Sequence, residues 1–533
     1  MSFIRTGEQN HIVNMAKTEL CMKVAAAAGA SKTTTLTFIA EALVEQGLFL
    51  TFNKALAVEA SGKFPSWVDC MTTHSLAYKS HGVPLQHKLK RPKGAYRNVA
   101  GTGTEIAKYF KTGDFKYLLK GEYEPRKMKA GGVGVAIRNT VNRFEQSADR
   151  TMDYHHVDIS NCDSFLRRDE NALRSFKYMV LGHAQKLWDL RQNPRVDVLC
   201  THDTYLKLYQ LSGPDLSRYP VIYLDESQDT NAVVLDIFLQ QQGKCKLFCV
   251  GDGYQNIYSW RGATNAMEKL DWPEASLTKS FRFGQAIADV ANMVLADNGK
   301  LITDIKGFEQ IESVVIDPSD ITQEIMDGKY AMLFRTNGAL IMEAINLLER
   351  GKKVNLEIDV SDFTKLLESA VALAKGDMAK VKHENLIQFE NWEEMGIEAE
   401  VVKGELLRVY QLVENGTVYR VLRLLSNHEN IADPDVILTT AHKSKGREFD
   451  VVVLAEDFPS PWNADGEWIG LQDGERNLLY VALTRAKFIL CYNVPVADMI
   501  DRHKRKDFYD KAEAVDSFLG KELAQLQRDY MLD

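Results

Sequence analysis

Two carboxylates follow directly on four apolar residues: Val221-Ile222-Tyr223-Leu224 runs into Asp225-Glu226-Ser227-Gln228-Asp229. Adjacent carboxylates at a strand's end suit phosphoryl transfer, the first holding Mg²⁺ and the second orienting and deprotonating an attacking water. A solvated acidic turn is the ordinary alternative. The cation such chemistry needs has a candidate in Ala26-Ala27-Ala28-Gly29-Ala30-Ser31-Lys32-Thr33, set between the apolar run Leu20 to Ala25 and a helix-like run from Thr34. In a loop of the G-x-x-x-x-G-K-[ST] kind, backbone N–H groups wrap phosphates, the lysine reaches the terminal ones and the hydroxyl reaches Mg²⁺. Ala26 and Ser31 occupy both prescribed glycine positions, so this stretch by itself reads equally as a phosphate loop or a plain strand-to-helix turn. If Ser31 needs a left-handed backbone, its side chain costs roughly 1 to 2 kcal/mol.

A third tract supplies different chemistry. The apolar run Lys246 to Val250 leads into Gly251-Asp252-Gly253-Tyr254-Gln255-Asn256-Ile257-Tyr258-Ser259-Trp260-Arg261-Gly262-Ala263. Gln255, a neutral donor and acceptor at a strand end, suits sensing of a γ-phosphate. Tyr258, Trp260 and Arg261 offer aromatic faces beside a cation, on which single-stranded bases stack for roughly 1 to 3 kcal/mol each. Core packing is the alternative for the aromatics, but a glycine-rich polar stretch is a poor place to bury a tryptophan.

Sheets must present these groups. Helical and strand-like runs alternate through much of the chain, which predicts α/β architecture with parallel sheets. The helix after the loop is expected over Lys32 to Gln46 with Gly47 as its C-cap, followed by a strand from Leu48 to Phe52. That unit points a helix N-terminus at an anion and leaves Asn53 and Lys54 past a strand's carboxyl end, where ligands bind in open α/β sheets.

Bulk properties narrow the setting. The chain has 533 residues, 45% hydrophobic and 26% charged, which suits several globular domains. No apolar run approaches the ~18 to 20 residues of a membrane span, and the N-terminus lacks a signal-peptide pattern, so a cytoplasmic setting and no membrane partner are expected. The seven scattered cysteines lack metal spacing. Net charge is −8, yet Gln86 to Arg138 holds thirteen Lys or Arg, among them Lys88, Lys90, Arg91, Lys93, Arg126, Lys127 and Lys129, against four acids. Such a block is either a solvated face or the footprint of a phosphate backbone.

Taken together, these tracts resemble the signature of UvrD/Rep-type superfamily 1 DNA helicases, and Leu277-Thr278-Lys279-Ser280-Phe281-Arg282-Phe283-Gly284 most resembles the F-box DNA helicase branch. The other pieces fall in the family's order: Glu8-Gln9, Thr73-His74-Ser75-Leu76-Ala77, Arg335-Thr336-Asn337, the run Thr440 to Asp450 and the run Leu479 to Lys487. His202 to Gln210 is similar to the same branch but suggests no chemistry. No F-box-like segment is expected before Gln9, and the charged tail from Asp501 to Asp533 is not expected to be a nuclease.

The resemblance implies two RecA-like parallel-sheet P-loop lobes, each with an inserted subdomain. It divides the chain into a first lobe at 1–80 and 196–265, its insertion with the basic block at 81–195, a second lobe at 266–345 and 430–533, and a small helical insertion at 346–429. The basic block is then expected to meet DNA. By resemblance ATP and Mg²⁺ are the cofactors. Lys32 neutralises the β and γ phosphates within Ala28, Gly29, Ala30, Ser31, Thr33 and Thr34, while Thr33 and Asp225 hold Mg²⁺ and Glu226 is the base. Gln255 senses the γ-phosphate, and Arg282 and Arg485 complete the site. Gln9 reads the adenine edge, Phe281 stacks on the ring and Glu448 reaches the ribose. Phe52, Asn53, His74, Tyr258, Trp260, Arg261, Arg335, Asn337 and His442 match the single-strand track. The implied activity is ATP-driven 3′-to-5′ translocation on single-stranded DNA with strand separation at junctions, by a monomer in the default case, in a bacterial or viral cytoplasm or a eukaryotic nucleus. The alternatives are a DNA-binding protein whose altered loop has lost hydrolysis, and the motor subunit of a larger repair or defence complex.

Overall fold

The computed structural model describes residues 5–51, 53–89, 101–119, 121–257, 265–297, 304–402, 404–427 and 431–505. The chain divides into two compact units. The first comprises Met1–Ala26, Ser31–Leu277 and Ile358–Asn430, the second Ala27–Ala30, Thr278–Glu357 and Ile431–Asp533. Among the described residues, no helix is long and apolar enough to cross a membrane.

The strands of the first unit are β1 (Cys21–Ala26), β2 (Gly47–Thr51), β3 (Val68–Thr72), the short β4 (Phe115–Tyr117) and β5 (Arg126–Met128), β6 (Val221–Leu224), β7 (Lys246–Gly251) and β8 (Glu274–Leu277). Strands β4 and β5 form an antiparallel pair, and the other six make one parallel sheet in the order β3-β2-β6-β7-β1-β8. Strands β2 and β6 are buried at every position. Their near-continuous apolar sequences are those of central strands covered on both faces. Leu48, Leu50, Ile222, Leu224 and Leu247 pack in one cluster with Val233, Ile237 and Phe238 from the helix Ala232–Leu239.

Two boundaries differ from the sequence expectation. Glu274–Leu277 pairs with β1 from Lys23↔Glu274 to Ala26↔Leu277, so the first sheet runs past the expected lobe boundary at 266. Four residues, one of them Ala and one Ser, carry too little apolar pattern to announce a strand. The helix after the loop covers Lys32–Leu43 and ends on Val44 at φ 52°, whose N–H bonds the Ala40 carbonyl. A β-branched residue thus takes the left-handed closing position that Gly47 was expected to fill, and Gly47 opens β2 instead.

The first insertion is built on the helices Ala130–Gln146 and Glu170–Gln192. Val133, Ile137, Val141 and Phe144 meet Phe176, Val180, Ala184 and Leu187 in one core, at the three- and four-residue spacing of one helix face. The tract without assigned chemistry, His202–Leu211, docks this insertion onto the sheet. Lys207 donates to the carbonyls of Ser147 (2.9 Å) and Asp149 (2.5 Å), and Gln210 donates to that of Ala148 (3.1 Å). Buried Glu145 accepts from Arg191, Thr201 and Thr204. The tract's polar residues therefore hold the turn that follows Ala130–Gln146 by its carbonyls.

The segment 358–430, expected to accompany the second lobe, belongs to the first unit. It packs against the first insertion through ion pairs. Arg138 makes a bidentate pair with Glu384, Lys127 meets Glu390 at 2.5 Å, Arg167 meets Glu398 at 2.9 Å, and Lys129 donates to the Phe389 carbonyl at 3.0 Å. Within the basic block, Arg138, Lys127 and Lys129 are thus engaged in fold contacts. Lys88 is buried and caps a helix end by donating to the carbonyls of Leu190, Arg191 and Asn193. Arg126 is held by Glu122 and lies over the Phe165 ring at 3.9 Å. Of these cations, Arg138 and Lys127 pair with acids outside the block, which a local charge count does not see. Lys90, Arg91 and Lys93 lie outside the described residues.

The second unit contains β9 (Val314–Ile316), β10 (Tyr330–Phe334), β11 (Val354–Glu357), β12 (Val436–Thr440), β13 (Phe449–Leu454) and β14 (Ala486–Cys491). All pair in parallel, in the order β11-β12-β10-β13-β14-β9. Strand β11 falls inside the segment 346–429 expected to be a helical insertion; it forms the sheet edge by pairing with β12.

Candidate functional site

Strand β1 ends at Ala26 and the helix Lys32–Leu43 begins six residues later. Ser31 sits between them at φ 57°, ψ 45°, so the prescribed glycine position does demand a left-handed backbone. Ala26 is an ordinary buried strand residue without that demand. Gly29 has φ 76°, and a Cβ there would come within 2.6 Å of the Ser280 hydroxyl and 2.8 Å of the Arg282 Cβ. Glycine is required at this position on both counts.

Parallel pairing brings the carboxyl ends of β1, β6 and β7 to one edge of the sheet, and their following residues form a connected cluster. Lys32 Nζ lies 3.2 Å from Glu226 Oε2, and the Thr33 hydroxyl donates to Asp225 Oδ2 at 2.6 Å. Glu226 is at φ 51°, a second strained non-glycine residue in the cluster. Gln228 donates to Glu226 at 2.6 Å and accepts the Asp252 N–H at 3.0 Å, while Gln255 donates to Asp252 Oδ2 at 2.6 Å. A polar chain therefore runs from Lys32 through Glu226, Gln228 and Asp252 to Gln255. Gln228 and Asp252 were not singled out from sequence, although both stand in the strand-end tracts that were; their signal was a polar side chain next to a fully apolar strand.

The electrostatics follow from burial. Asp225 is 4% exposed, and burial together with the Glu226 charge pushes its carboxyl up to about 6, against the pull of Lys32 and the Thr33 hydrogen bond. Burial disfavours the Lys32 ammonium, but Glu226, Asp252 and Asp225 outweigh it and raise its pKa. A crowded set of carboxylates around one lysine is short of positive charge. Hard oxygen donors from Thr33 and Asp225 side by side suit Mg²⁺, which prefers one or two protein oxygens and keeps its remaining positions for water and phosphate.

Gln9 is buried in a capping box, accepting the Thr6 N–H at 3.0 Å and donating to Thr35 at 3.2 Å. Thr34 lies in the first turn of the loop's helix. Asn53 is the N-cap of Lys54–Ser61, accepting the Leu56 N–H at 2.9 Å. His74 Nε2 meets Asp203 Oδ1 at 3.1 Å, and Gln146 donates to the other oxygen at 2.9 Å. Burial opposes ionisation of Asp203, but hydrogen bonds from His74 and Gln146 outweigh it and hold its carboxyl below the usual range. A small cavity of about 50 Å³ is lined by Thr51, Thr73 and His74 together with Asp225 and Asp229. The expected DNA-side histidine and the expected metal-side carboxylate thus line the same space. Phe52, Tyr258, Trp260 and Arg261 lie outside the described residues.

Within the second unit, the Ala28 N–H donates to the Tyr480 hydroxyl at 3.0 Å, the Phe281 N–H donates to the Gly29 carbonyl at 2.9 Å, and Ala30 closes a turn onto the Ala27 carbonyl. The Phe281 ring meets Phe308 edge-on at 5.2 Å. Arg282 bonds Glu448 at 3.1 Å and the Thr484 carbonyl at 3.2 Å. Arg485 is 1% exposed and donates to the carbonyls of Val481 (2.8 Å) and Arg447 (3.2 Å) and to the Thr484 hydroxyl (3.2 Å). It holds the segments on which Arg282 and Glu448 rest, and those bonds must give way before its guanidinium can reach a ligand. Arg335 forms a two-point pair with Glu475 at 2.6 and 2.7 Å. Asn337 opens a helix capped by Thr336, and His442 is half-buried in the turn after β12.

A β-sheet edge carrying this lysine, hydroxyl, carboxylate and glutamine set coincides with known sequence families. Residues 6–270 match the UvrD/REP helicase N-terminal domain, and residues 355–494 match the UvrD-like helicase C-terminal domain. The chain belongs to the UvrD-like helicase family. It is 30% identical over 521 residues to F-box DNA helicase 1 of Gallus gallus, covering 90% of this chain and 48% of that protein. It is 31% identical over 510 residues to F-box DNA helicase protein 1 of Schizosaccharomyces pombe, covering 89% and 55%. Identity to the ATP-dependent DNA helicase PcrA of Staphylococcus aureus is 36% over 203 residues, covering 35% and 25%. The chain spans about half the length of the F-box helicases it matches. As a UvrD-like helicase, it has parallel sheets in both units, as a pair of RecA-like lobes requires.

Proposed function

We propose that this chain is an ATP-dependent DNA helicase that moves 3′ to 5′ along single-stranded DNA and separates strands at junctions. The observation that carries the reading is the connected cluster at the carboxyl ends of β1, β6 and β7, in which Lys32 meets Glu226, Thr33 meets Asp225, and Gln255 joins Glu226 through Asp252 and Gln228.

Each residue has a role set by its chemistry. The Lys32 ammonium is directed at the terminal phosphates of ATP, exchanging Glu226 for phosphate oxygens. Thr33 and Asp225 would hold Mg²⁺, which supplies positive charge to the β and γ oxygens as negative charge moves toward the leaving group. Freed of Lys32, Glu226 orients water and takes its proton at Oε, and Gln228 keeps that carboxylate aimed. Gln255 exchanges Asp252 for a γ-phosphate oxygen, which carries the nucleotide state to the tract containing Tyr258, Trp260 and Arg261. Arg282 supplies the second cation, held ready by Arg485; in P-loop enzymes such an arginine is worth roughly 10³ to 10⁵ in rate. Gln9, Phe281 and Glu448 are assigned to the base and ribose, and Asn53, His74, Arg335, Asn337 and His442, with Phe52, to the single strand. Stacking and backbone contacts of this kind tolerate any base sequence and weaken steeply with salt.

Strand displacement with ATP tests the reading. A duplex with a 3′ single-stranded tail is unwound and one with a 5′ tail is not. Equal unwinding of both removes the polarity, and unwinding of neither by folded protein removes the helicase reading. A DNA-binding protein without hydrolysis would instead bind both tails indifferently to ATP.

A further inference from the structure

We propose that Asp149, His155 and His156, in the first insertion, form a binding site for a divalent transition-metal ion of the zinc class. None of the three belongs to the nucleotide or DNA tracts. Their donor atoms all lie within 4.8 Å of one another. Asp149 Oδ2 is 2.8 Å from His155 Nε2 and 3.1 Å from His156 Nε2, and the two imidazole rings are 3.9 Å apart between centroids. Donors around a four-coordinate zinc stand about 3.3 Å apart, given bonds of about 2.0 to 2.1 Å. The two distances from Asp149 therefore lie within about 0.5 Å of that spacing.

The surroundings hold the ligands in place. His156 is 3% exposed, and its ring meets Phe144 edge-on at 5.4 Å. Its Nδ1 accepts the Asp153 N–H at 3.1 Å and lies 3.2 Å from the Asp153 carbonyl, so metal binding at Nε2 moves the ring proton to Nδ1, where that carbonyl would accept it. Metal-bound histidines are commonly fixed by such a bond from the other ring nitrogen. The Ser147 hydroxyl lies 3.1 Å from His156 Nε2. Lys207 pins the loop by donating to the carbonyls of Ser147 and Asp149. His155 and Asp149 are 64% and 48% exposed, which leaves the ion an entry path and a coordination position for water.

Two imidazoles and one carboxylate select the metal class. Borderline ions such as Zn²⁺ and Co²⁺ favour this set, whereas Mg²⁺ and Ca²⁺ favour all-oxygen sites. Millimolar Mg²⁺ for ATP hydrolysis therefore does not compete. Lys207 places a positive charge behind the loop and weakens the site, which sets it as exchangeable. All three ligands belong to the loop 149–156, which Lys207 ties to the helix bearing Asp203, so metal loading stiffens the joint between insertion and sheet.

The test titrates the full chain, stripped by chelator and returned to Mg²⁺ buffer, with Zn²⁺ by calorimetry and with Co²⁺ by visible absorption. The expected result is one equivalent of Zn²⁺ and the Co²⁺ bands of a four- or five-coordinate nitrogen and oxygen site. Asp149→Asn and His155→Ala each lower the affinity at least about tenfold, the scale of losing support in such sites, and His11→Ala, on an exposed helix position, leaves it unchanged. Circular dichroism without metal checks that the variants are folded, and His155→Gln repeats the test if His155→Ala is not. Absence of binding, wild-type affinity in folded Asp149→Asn and His155 variants, or an equal loss in His11→Ala overturns the proposal.

Discussion

Ser31 shows how one residue departs from a loop pattern without destroying it. Its left-handed backbone costs a side-chain-bearing residue roughly 1 to 2 kcal/mol relative to glycine. Ser31→Gly is therefore expected to raise stability by about 1 kcal/mol, the rest being returned as unfolded-state entropy, read as an increase in the denaturation midpoint. Ala26→Gly should lower stability by about 0.5 to 1 kcal/mol, because it loosens a regular strand. The two substitutions look equivalent in sequence, and only the backbone separates them. His74 gives a second residue-scale prediction. Asp203→Asn removes the charge that orients its ring, and single-strand affinity should fall roughly fivefold, about 1 kcal/mol for a lost charge-assisted bond, with basal ATP hydrolysis kept. Unchanged DNA affinity in a fluorescence titration would show that Asp203 does not position His74. The Lys32, Thr33, Asp225, Glu226 and Gln255 set was legible because each follows an apolar strand closely. Gln228 and Asp252 stand in the same strand-end tracts and were passed over because their role is to link the tracts to each other, and Asp203 lies in a tract that suggested no chemistry.

At the scale of elements, charged pairs hold the segment 358–430 to the first insertion. Hydrogen bonds from Arg138 hold the Glu384 carboxyl below its usual range. A carboxyl lowered by folding adds stability above the unfolded pKa and loses it as pH falls through the folded one. The docking is therefore complete at neutral pH and weakens in acid. Glu384→Gln should reproduce that weakening at neutral pH by about 1 kcal/mol after solvent screening, seen as faster amide exchange in 384–398; unchanged exchange would mean the pair contributes nothing. The central strands β1, β2, β6 and β7 were legible from their apolar runs. Strands β8 and β11, four residues each at sheet edges, were not, because edge strands need little apolar pattern. Within the basic block, Arg138 and Lys127 pair with acids more than two hundred positions later, which a local charge count does not see.

For the whole molecule, the alternation of runs predicted α/β architecture with parallel sheets and the resemblance implied two lobes; two six-stranded parallel sheets are present among the described residues. What sequence alone did not give was the allegiance of 358–430, which depends on tertiary ion pairs and not on chain order. The account's central claim is that the cluster around Lys32 and Glu226 hydrolyses ATP in response to single-stranded DNA. The most direct measurement compares steady-state ATP hydrolysis of the wild-type chain and Glu226→Gln, with and without single-stranded DNA, alongside DNA affinity. The account predicts strong stimulation of the wild type by DNA and loss of at least about 10² in turnover for Glu226→Gln, the scale of a general base, with DNA binding retained. Folded wild type that DNA does not stimulate, or Glu226→Gln that turns over normally, would contradict it.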